Sequence, residues 1–570
     1  MAFLFLLMKR LRWQILIVVL TLVVVGVLLI TQQPVGPVQV LPQPTTGGVY
    51  SEGLVGSLGR LNPLLDWNNP ADRDIDRLIF SGLIRFDERG MPQPDLAESW
   101  GVNEEGTIYN FTIRPNATWH DGAPITSDDV IFTIEMLKSS GSLYPQDIKD
   151  LWANVEVRKL NDKNLKFTIP EPFAPFLDYL TVGILPKHVL EAVPPEGLVS
   201  ADFNIKPVGS GPYKFDHLIL SGGQITGVVL TAFEAYYGKQ PFIPQVVFRY
   251  YPTSTAALDA YEQGDVLGIS RITSDALPEA LSLPNLSLYT SRMPQVSMVM
   301  LNLNNPEVTF LQNAQVRRAL LLGLNRQRMI STLLQGQAIV AHGPILPGSW
   351  AYYDGVERLE YDPESAIALL KAEGYVIPAE GGAVRAKEGQ ALMFTLLHPD
   401  DELHTQVAQM MQAGWAGIGV QANLQAVPYD RIAFDYLGPR AYQAALVDLN
   451  LARTPDPDPY PFWHQAEATG GQNYAQWDNR TASEYLEQAR VNTDFGVRTR
   501  LYRNFQVVFA KELPSLPLYY PVYSFAVDAQ VLGVQVPPLY DISDRFSVVT
   551  DWYLVTRRSL EAAPEGTTAP

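Results

Sequence analysis

Two periodicities alternate along this chain, and between them they predict a mixed α/β fold. Apolar residues at every second position mark strands, and apolar residues three and four apart mark helices. Residues 99–103 and 107–114 are of the first kind, with Tyr109, Phe111 and Ile113 on one face and Ile108, Asn110, Thr112 and Arg114 on the other. The turn at 103–106 ends in Gly106, which tolerates the positive φ that such a turn requires. Pro115 stops the second strand, and Trp119, His120, Asp121 and Gly122 turn the chain. Thr126 or Ser127 then caps a helix whose first turn carries Asp128 and Asp129 at the positive dipole end. Val130, Ile131, Ile134 and Leu137 give that helix its apolar stripe.

The same reading places a hairpin at 155–160 and 165–169, and strands at 245–251, 296–302 and 514–521. Helices are expected at 71–80, 173–179, 254–263, 314–323, 326–334 and 403–418, with others opening at 362 and spanning 484–490 and 498–511. A last strand region is expected to hold Arg545, Phe546, Trp552 and Tyr553, and structure is expected to fade from Ser559. At 570 residues the chain exceeds one ordinary core, so at least two lobes are expected.

The first fifty residues read differently. Lys9, Arg10 and Arg12 precede residues 13–30, eighteen positions without a charge. As a helix this stretch would be roughly 27 Å long, close to the hydrocarbon thickness of a bilayer. No small-x-small cleavage site follows it, so an uncleaved anchor is expected, with the cationic start at 1–12 in the cytoplasm and the rest outside; the alternative is a signal peptide cleaved at an unusual site. Residues 31–48, rich in Pro, Gln and Thr, suit an extended tether.

Charge and composition narrow the function. A net charge of −18 without a basic cluster argues against nucleic acid. The absence of cysteine removes disulfides, thiolate metal sites and a cysteine nucleophile. His120 beside Asp121 could serve acid–base chemistry, though a structural turn accounts for both. His398 and His404 flank the acidic 400–402 and could hold a metal, though acids there also suit a helix start. The glycine-rich 207–213 lacks the lysine and spacing of a phosphate loop, and Pro212 blocks the required helix start. From Pro455 to Pro461 every second residue is proline, which holds the chain extended or turned.

Read as a series, several segments resemble one family. Leu61-Asn62-Pro63 with Phe80-Ser81-Gly82-Leu83, residues 94–137, the 207–213 loop, Val316-Arg317-Arg318-Ala319-Leu320 and Asp362-Pro363-Glu364 are similar, in this order, to extracellular solute-binding proteins of family 5. These are the oligopeptide- and dipeptide-binding receptors of ABC importers. The resemblance spans roughly residues 50–557 and implies a two-lobed, hinged periplasmic-binding-protein fold with an extra subdomain. Lobe one would comprise 49–300 and about 531–557, with the subdomain at 92–204; lobe two would be 301–530, and 558–570 a tail.

It further implies a monomeric, non-enzymatic receptor without cofactor or metal, which takes a peptide or similar solute in an inter-lobe cleft. Its partners would be the permease subunits and, through them, the ATPase. Ligand contacts are implied at Trp67, Asn68 and Asn69, at Asn450, Leu451, Arg453 and Trp463, and at Tyr523. Peptide receptors of the family commonly carry an aspartate for the peptide's ammonium three positions before the Asp-Pro pair. Here that position is Arg453, which favours an acceptor instead; Asp448 is a candidate replacement, and Arg453 could also pair with Asp456 or Asp458. Two other functions are compatible with the residues: a sensor of the same fold without transport, and an extracellular hydrolase using paired carboxylates. The motifs Gly-x-Ser-x-Gly, His-Glu-x-x-His and the phosphate loop are all absent.

Overall fold

The computed structural model describes residues 13–14, 16–27, 40–139, 141–452 and 455–560. They fall into two units, one of residues 46–554 and the other of the segments on either side. In the smaller unit, residues 13–14 and 16–27 are helical, and Val40–Thr45 pairs antiparallel with Val555–Leu560. Part of the predicted tether is therefore paired strand, and strand runs past Ser559. Among the described residues no helix is long and apolar enough to cross a membrane. The expected span at 13–30 is described only as far as residue 27, and its remainder lies outside the described residues.

The larger unit is built on a twelve-stranded sheet with two major cores. One core draws on residues 50–248 and 523–552, and we call this the first lobe. The other draws on residues 296–520, the second lobe. The strand Ser515–Asp528 belongs to both. Leu516, Leu518 and Tyr520 pack in the second lobe, whereas Phe525 and Val527 pack in the first. Its early half pairs with Gln295–Leu301 and its late half with Leu286–Arg292 and Gly268–Ile269. It outruns the predicted 514–521 because sequence pattern cannot reveal that second set of partners.

In the first lobe Gln245–Tyr251 lies parallel to Val49–Val55. In the second, Met393–Pro399 and Gln421–Val427 are parallel strands joined by the helix Glu402–Gly417. A separate four-stranded sheet carries Ala97–Val102, Ile108–Ile113, Asn164–Thr168 and Glu156–Asn161 in that spatial order. Gly106 takes φ +70° in its turn, as expected. The helix Ser127–Lys138 starts at Thr126, whose backbone N–H donates to Asp129 at 2.8 Å.

The glycine-rich 207–213 loop is a packing device. A side chain at Gly209 would collide with the Ile79 carbonyl, and one at Gly211 with that of Leu78. The loop is pinned by His120, whose Nδ1 accepts from Gly209 N and whose Nε2 donates to Gly211 O, each at 3.1 Å. Burial pulls this imidazole down to about 4, so it stays neutral. Asp121 does not pair with it but meets His188 at 2.8 Å.

One predicted element is corrected. Arg545, Phe546 and Trp552 do not lie in a strand; Ile542–Phe546 and Val549–Asp551 are 3-10 turns. Asp541 and Asp544 form a capping box there, and Arg545 turns inward to fully buried partners, Asp74 and Glu52.

Candidate functional site: the cleft between two cores

A cavity of about 820 Å³ opens between the lobes. Trp67, Asp76, Tyr144, Asp178 and Tyr179 border it from the first lobe, and Asn450, Ala452, Pro455, Phe462 and Gln472 from the second. Local sequence explains how the first wall is held. Pro70 opens the helix Pro70–Ile79, and Asn69 caps it by accepting from Ala71 N at 3.1 Å. Arg73, on that helix, donates to the Trp67 carbonyl at 2.8 Å. The Trp67 ring in turn rests on Tyr144, centroids 4.9 Å apart.

The second wall is set by the strand Ala444–Asn450 and the proline-rich segment behind it. Asn450 ends the strand, its Oδ1 accepting from Ala452 N at 2.9 Å. The prolines leave few amides, and two of these are used. Asp456 N donates across the cleft to Asp178 Oδ2 at 2.8 Å, and Asp458 N donates to Asp456 Oδ1 at 3.1 Å.

The side chains of this segment are tied just as firmly. Asp456 is paired with Arg498 and accepts from the Tyr502 hydroxyl at 3.1 Å. Asp458 takes Arg490 at 2.7 Å, whose guanidinium lies 4.0 Å from the Tyr460 ring and 5.4 Å from Phe173 of the first lobe. Burial, then the Asp456 charge, pushes the Asp178 carboxyl well up. Burial also raises Asp456, although Arg498 works against it.

The predicted contacts divide accordingly. Trp67 and Asn450 border the cavity. Asn69 is occupied as a helix cap and by bonds to Ser57 O and Asp72. Asn68 is exposed and outside the lining, and Leu451 borders a smaller pocket beside Arg292. Trp463 is a correction: it is fully buried against Phe509, at 4.8 Å, because the apolar core behind the strand takes its ring. Tyr523 is another, a buried side chain whose hydroxyl donates to Ser270 O. Arg453 and Thr454 lie outside the described residues. Arg498 and Arg490 hold the two aspartates considered as partners for Arg453.

Asp448 is likewise committed. Ser297 donates to its Oδ1, and His404 Nε2 meets its Oδ2 at 3.1 Å. The other imidazole nitrogen meets Asp401 at 2.6 Å, and although burial opposes it, the two carboxylates together raise the His404 pKa. His398 does not converge on this cluster; its Nδ1 bonds Pro399 O at 2.7 Å.

Sequence reasoning missed Asp76, Asp178 and Tyr179. Asp178 and Tyr179 fall on a short 3-10 turn with no motif to mark them. Asp76 is the last of three aspartates at alternate positions, Asp72, Asp74 and Asp76, all buried. Three aspartates at alternate positions within five residues are the signal that was available.

Two α/β lobes that share a strand and enclose a cavity define a bilobal binding receptor. The chain belongs to the bacterial extracellular solute-binding proteins, family 5, whose middle-region profile matches residues 91–473. Members of that family are binding receptors rather than enzymes. The chain is 26% identical to the oligopeptide-binding protein AppA of Bacillus subtilis, over 90% of this chain and 92% of that relative. It is also 26% identical to the dipeptide-binding protein of Escherichia coli, over 78% and 84% of the two chains.

Among solved structures, NikZ from Campylobacter jejuni in complex with Ni(L-His) is similar at TM-score 0.68 and 26% identity, covering 89% of this chain and 99% of that one. AppA from Bacillus subtilis in complex with a nonapeptide gives TM-score 0.68 at 25% identity, covering 90% and 100%. HbpA2 from Haemophilus parasuis, at 21% identity, 87% and 99% coverage and TM-score 0.77, shares the fold.

Proposed function

We propose that this chain is the extracytoplasmic substrate-binding component of an ABC importer, a monomer that holds a peptide or peptide-like solute between its lobes and hands it to the permease. The observation that supports this reading is the cavity of about 820 Å³ bordered from both lobes. Ligand pockets run from about 300 to 1,000 Å³, so this one has room for several residues. A ligand touching both walls favours the closed arrangement by its differential affinity for it.

Within this reading Arg453 is the residue that offers its guanidinium to a peptide carbonyl or carboxylate. Such a charge-assisted bond contributes on the order of 1.5–3 kcal/mol, about one to two decades in affinity. Arg453→Ala then weakens binding by that amount and leaves the melting temperature of the empty protein unchanged. A lowered melting temperature with unaltered affinity would assign Arg453 to an internal pair.

A membrane anchor belongs to the same proposal. Leu16, Ile17, Leu20, Val23 and Val24 are all exposed on the helical stretch 16–27, which suits an apolar surround. N-terminal sequencing of membrane-extracted protein should begin ahead of residue 13; a start near 34 or 50 refutes the anchor. The ligand itself is tested by native mass spectrometry of the purified ectodomain, where a co-purifying peptide is expected. Small-angle scattering should then show compaction when that peptide is added back, and an unchanged radius of gyration argues for a sensor.

A further inference from the structure

We propose that closure of the lobes is coupled to the uptake of one proton, held where Asp178 of the first lobe meets Asp456 of the second, so that this receptor closes more readily in acid. The device acts in the protein without ligand, whichever solute it takes.

Each carboxyl is fixed to its own lobe. Asp178 lies on the 3-10 turn Ala174–Thr181, whose Phe176 and Leu180 are buried in the first core. Asp456 is held by Arg498 and Tyr502, both on the helix Phe495–Glu512 of the second lobe. The Asp456 amide donates to Asp178 Oδ2 at 2.8 Å, a bond that exists only while the lobes are together. The Arg490 guanidinium, 5.4 Å from the Phe173 ring, crosses the same seam.

The charges on the two sides do not match. The second lobe brings two acids and a cation for each, Arg498 for Asp456 and Arg490 for Asp458. The first lobe brings Asp178, whose carboxyl has the Asp456 amide as its donor and forms no ion pair among the described residues. Closing therefore buries one negative charge more than the cations balance, and sets it beside a second carboxylate. A charge in that position is neutralised rather than buried. Arg498 lies against Asp456, so the proton falls to Asp178, and with Oδ2 engaged by the amide it sits on Oδ1.

Burial, then the Asp456 charge, pushes the Asp178 carboxyl well above 3.8, and the amide bond, which favours the charged form, does not outweigh them. The tyrosines around the seam, Tyr109, Tyr179, Tyr502 and Tyr540, are all raised by burial and stay neutral. Asp147 adds a negative charge beside Tyr179, and Arg453 lies outside the described residues. When the lobes part, Asp178 is hydrated, leaves Asp456 and ionises in the usual range. The closed state thus binds the proton more tightly. Its population relative to the open state should fall by up to about tenfold per pH unit as pH climbs from 3.8 through the raised value, and level off beyond it.

The chain has no cysteine, so two can be introduced to carry spin labels. Glu156→Cys is exposed on the first lobe's four-stranded sheet, and Glu364→Cys is exposed on the helix Pro363–Ala372 of the second. Pulsed electron resonance on the full chain without ligand, from pH 5 to 8, should show one short distance dominating in acid and a longer one growing as pH rises. Asp178→Asn keeps an oxygen for the amide without the charge, and should hold the short distance throughout. A wild-type distance that does not respond to pH overturns the proposal, and so does an unchanged pH response in Asp178→Asn. Should that variant not fold, Asp456→Asn decides, because it frees Arg498 to balance Asp178 and should abolish the pH response; a response that persists there overturns the coupling.

Discussion

Arg498→Met gives the strongest test of how the cleft floor is held. Arg498 and Asp456 are 5% and 4% exposed, and each is the other's charge partner. Removing the guanidinium strands Asp456 beside Asp178, two buried carboxylates with no cation, and breaking such a pair costs about 3–5 kcal/mol. Tyr502 and the Asp458 amide still donate to Asp456, which holds that part near its lower end. The bond from Arg498 Nε to Ala489 O, 2.8 Å, is also lost, for about 1 kcal/mol.

A net cost of about 4 kcal/mol should lower the melting transition of the second lobe by roughly 8–16 °C, read by calorimetry. The sign of the pH dependence follows from the variant's acids. Burial raises both acids above the unfolded 3.8 even with Arg498 in place, so the penalty is small near pH 4 and grows as pH rises above it. The double variant Arg498→Met/Asp456→Leu should recover most of the loss, since apolar replacement of both partners is often neutral. A single variant costing under about 1 kcal/mol, or a double variant as damaged as the single, would refute the reasoning.

Three further outcomes are expected. His404 has a raised folded pKa, so its contribution is complete below the unfolded 6.5 and fades as pH rises through the folded value; His404→Gln should therefore cost most on the acid side, and urea midpoints that stay parallel to wild type from pH 5 to 8 would contradict this. Gly209→Ala should destabilise by about 1–3 kcal/mol through collision with the Ile79 carbonyl, whereas Gly122→Ala, open but at φ +90°, should cost about 1 kcal/mol; equal losses in thermal melts would count against the packing argument. Trp67→Ala should weaken ligand binding roughly tenfold by calorimetry with the empty protein's melting temperature little changed, and a large melting shift would reassign the ring to the core.

The fold was legible wherever local chemistry alone decides it. The Gly106 turn, the helix start at Thr126 and the strand at 245–251 need only neighbours in sequence. What was hidden depends on partners far along the chain. Arg545 reads as a strand residue until Asp74 and Glu52, nearly five hundred positions earlier, draw it inward. The late half of Ser515–Asp528 is strand because Leu286–Arg292 lies beside it. The resemblance implies Trp463 as a ligand contact, yet an aromatic next to a sheet is claimed by whichever apolar surface lies nearest, here that of Phe509. The site was harder still. Asp76 and Asp178 belong to it through burial and cavity shape, and neither quantity is written in a run of residues.

The strand Ser515–Asp528 also carries a consequence for the order of events during synthesis. A chain emerging from the ribosome has all of residues 46–301 in hand long before the strand that completes their sheet exists. Tyr523, Phe525, Val527, Phe546 and Trp552 belong to the first lobe's core, so that lobe remains unfinished until the last tenth of the molecule is made. Translation arrested near residue 510 should thus yield two damaged halves rather than one finished lobe and one fragment, both open to a protease. The two halves of this receptor are born together.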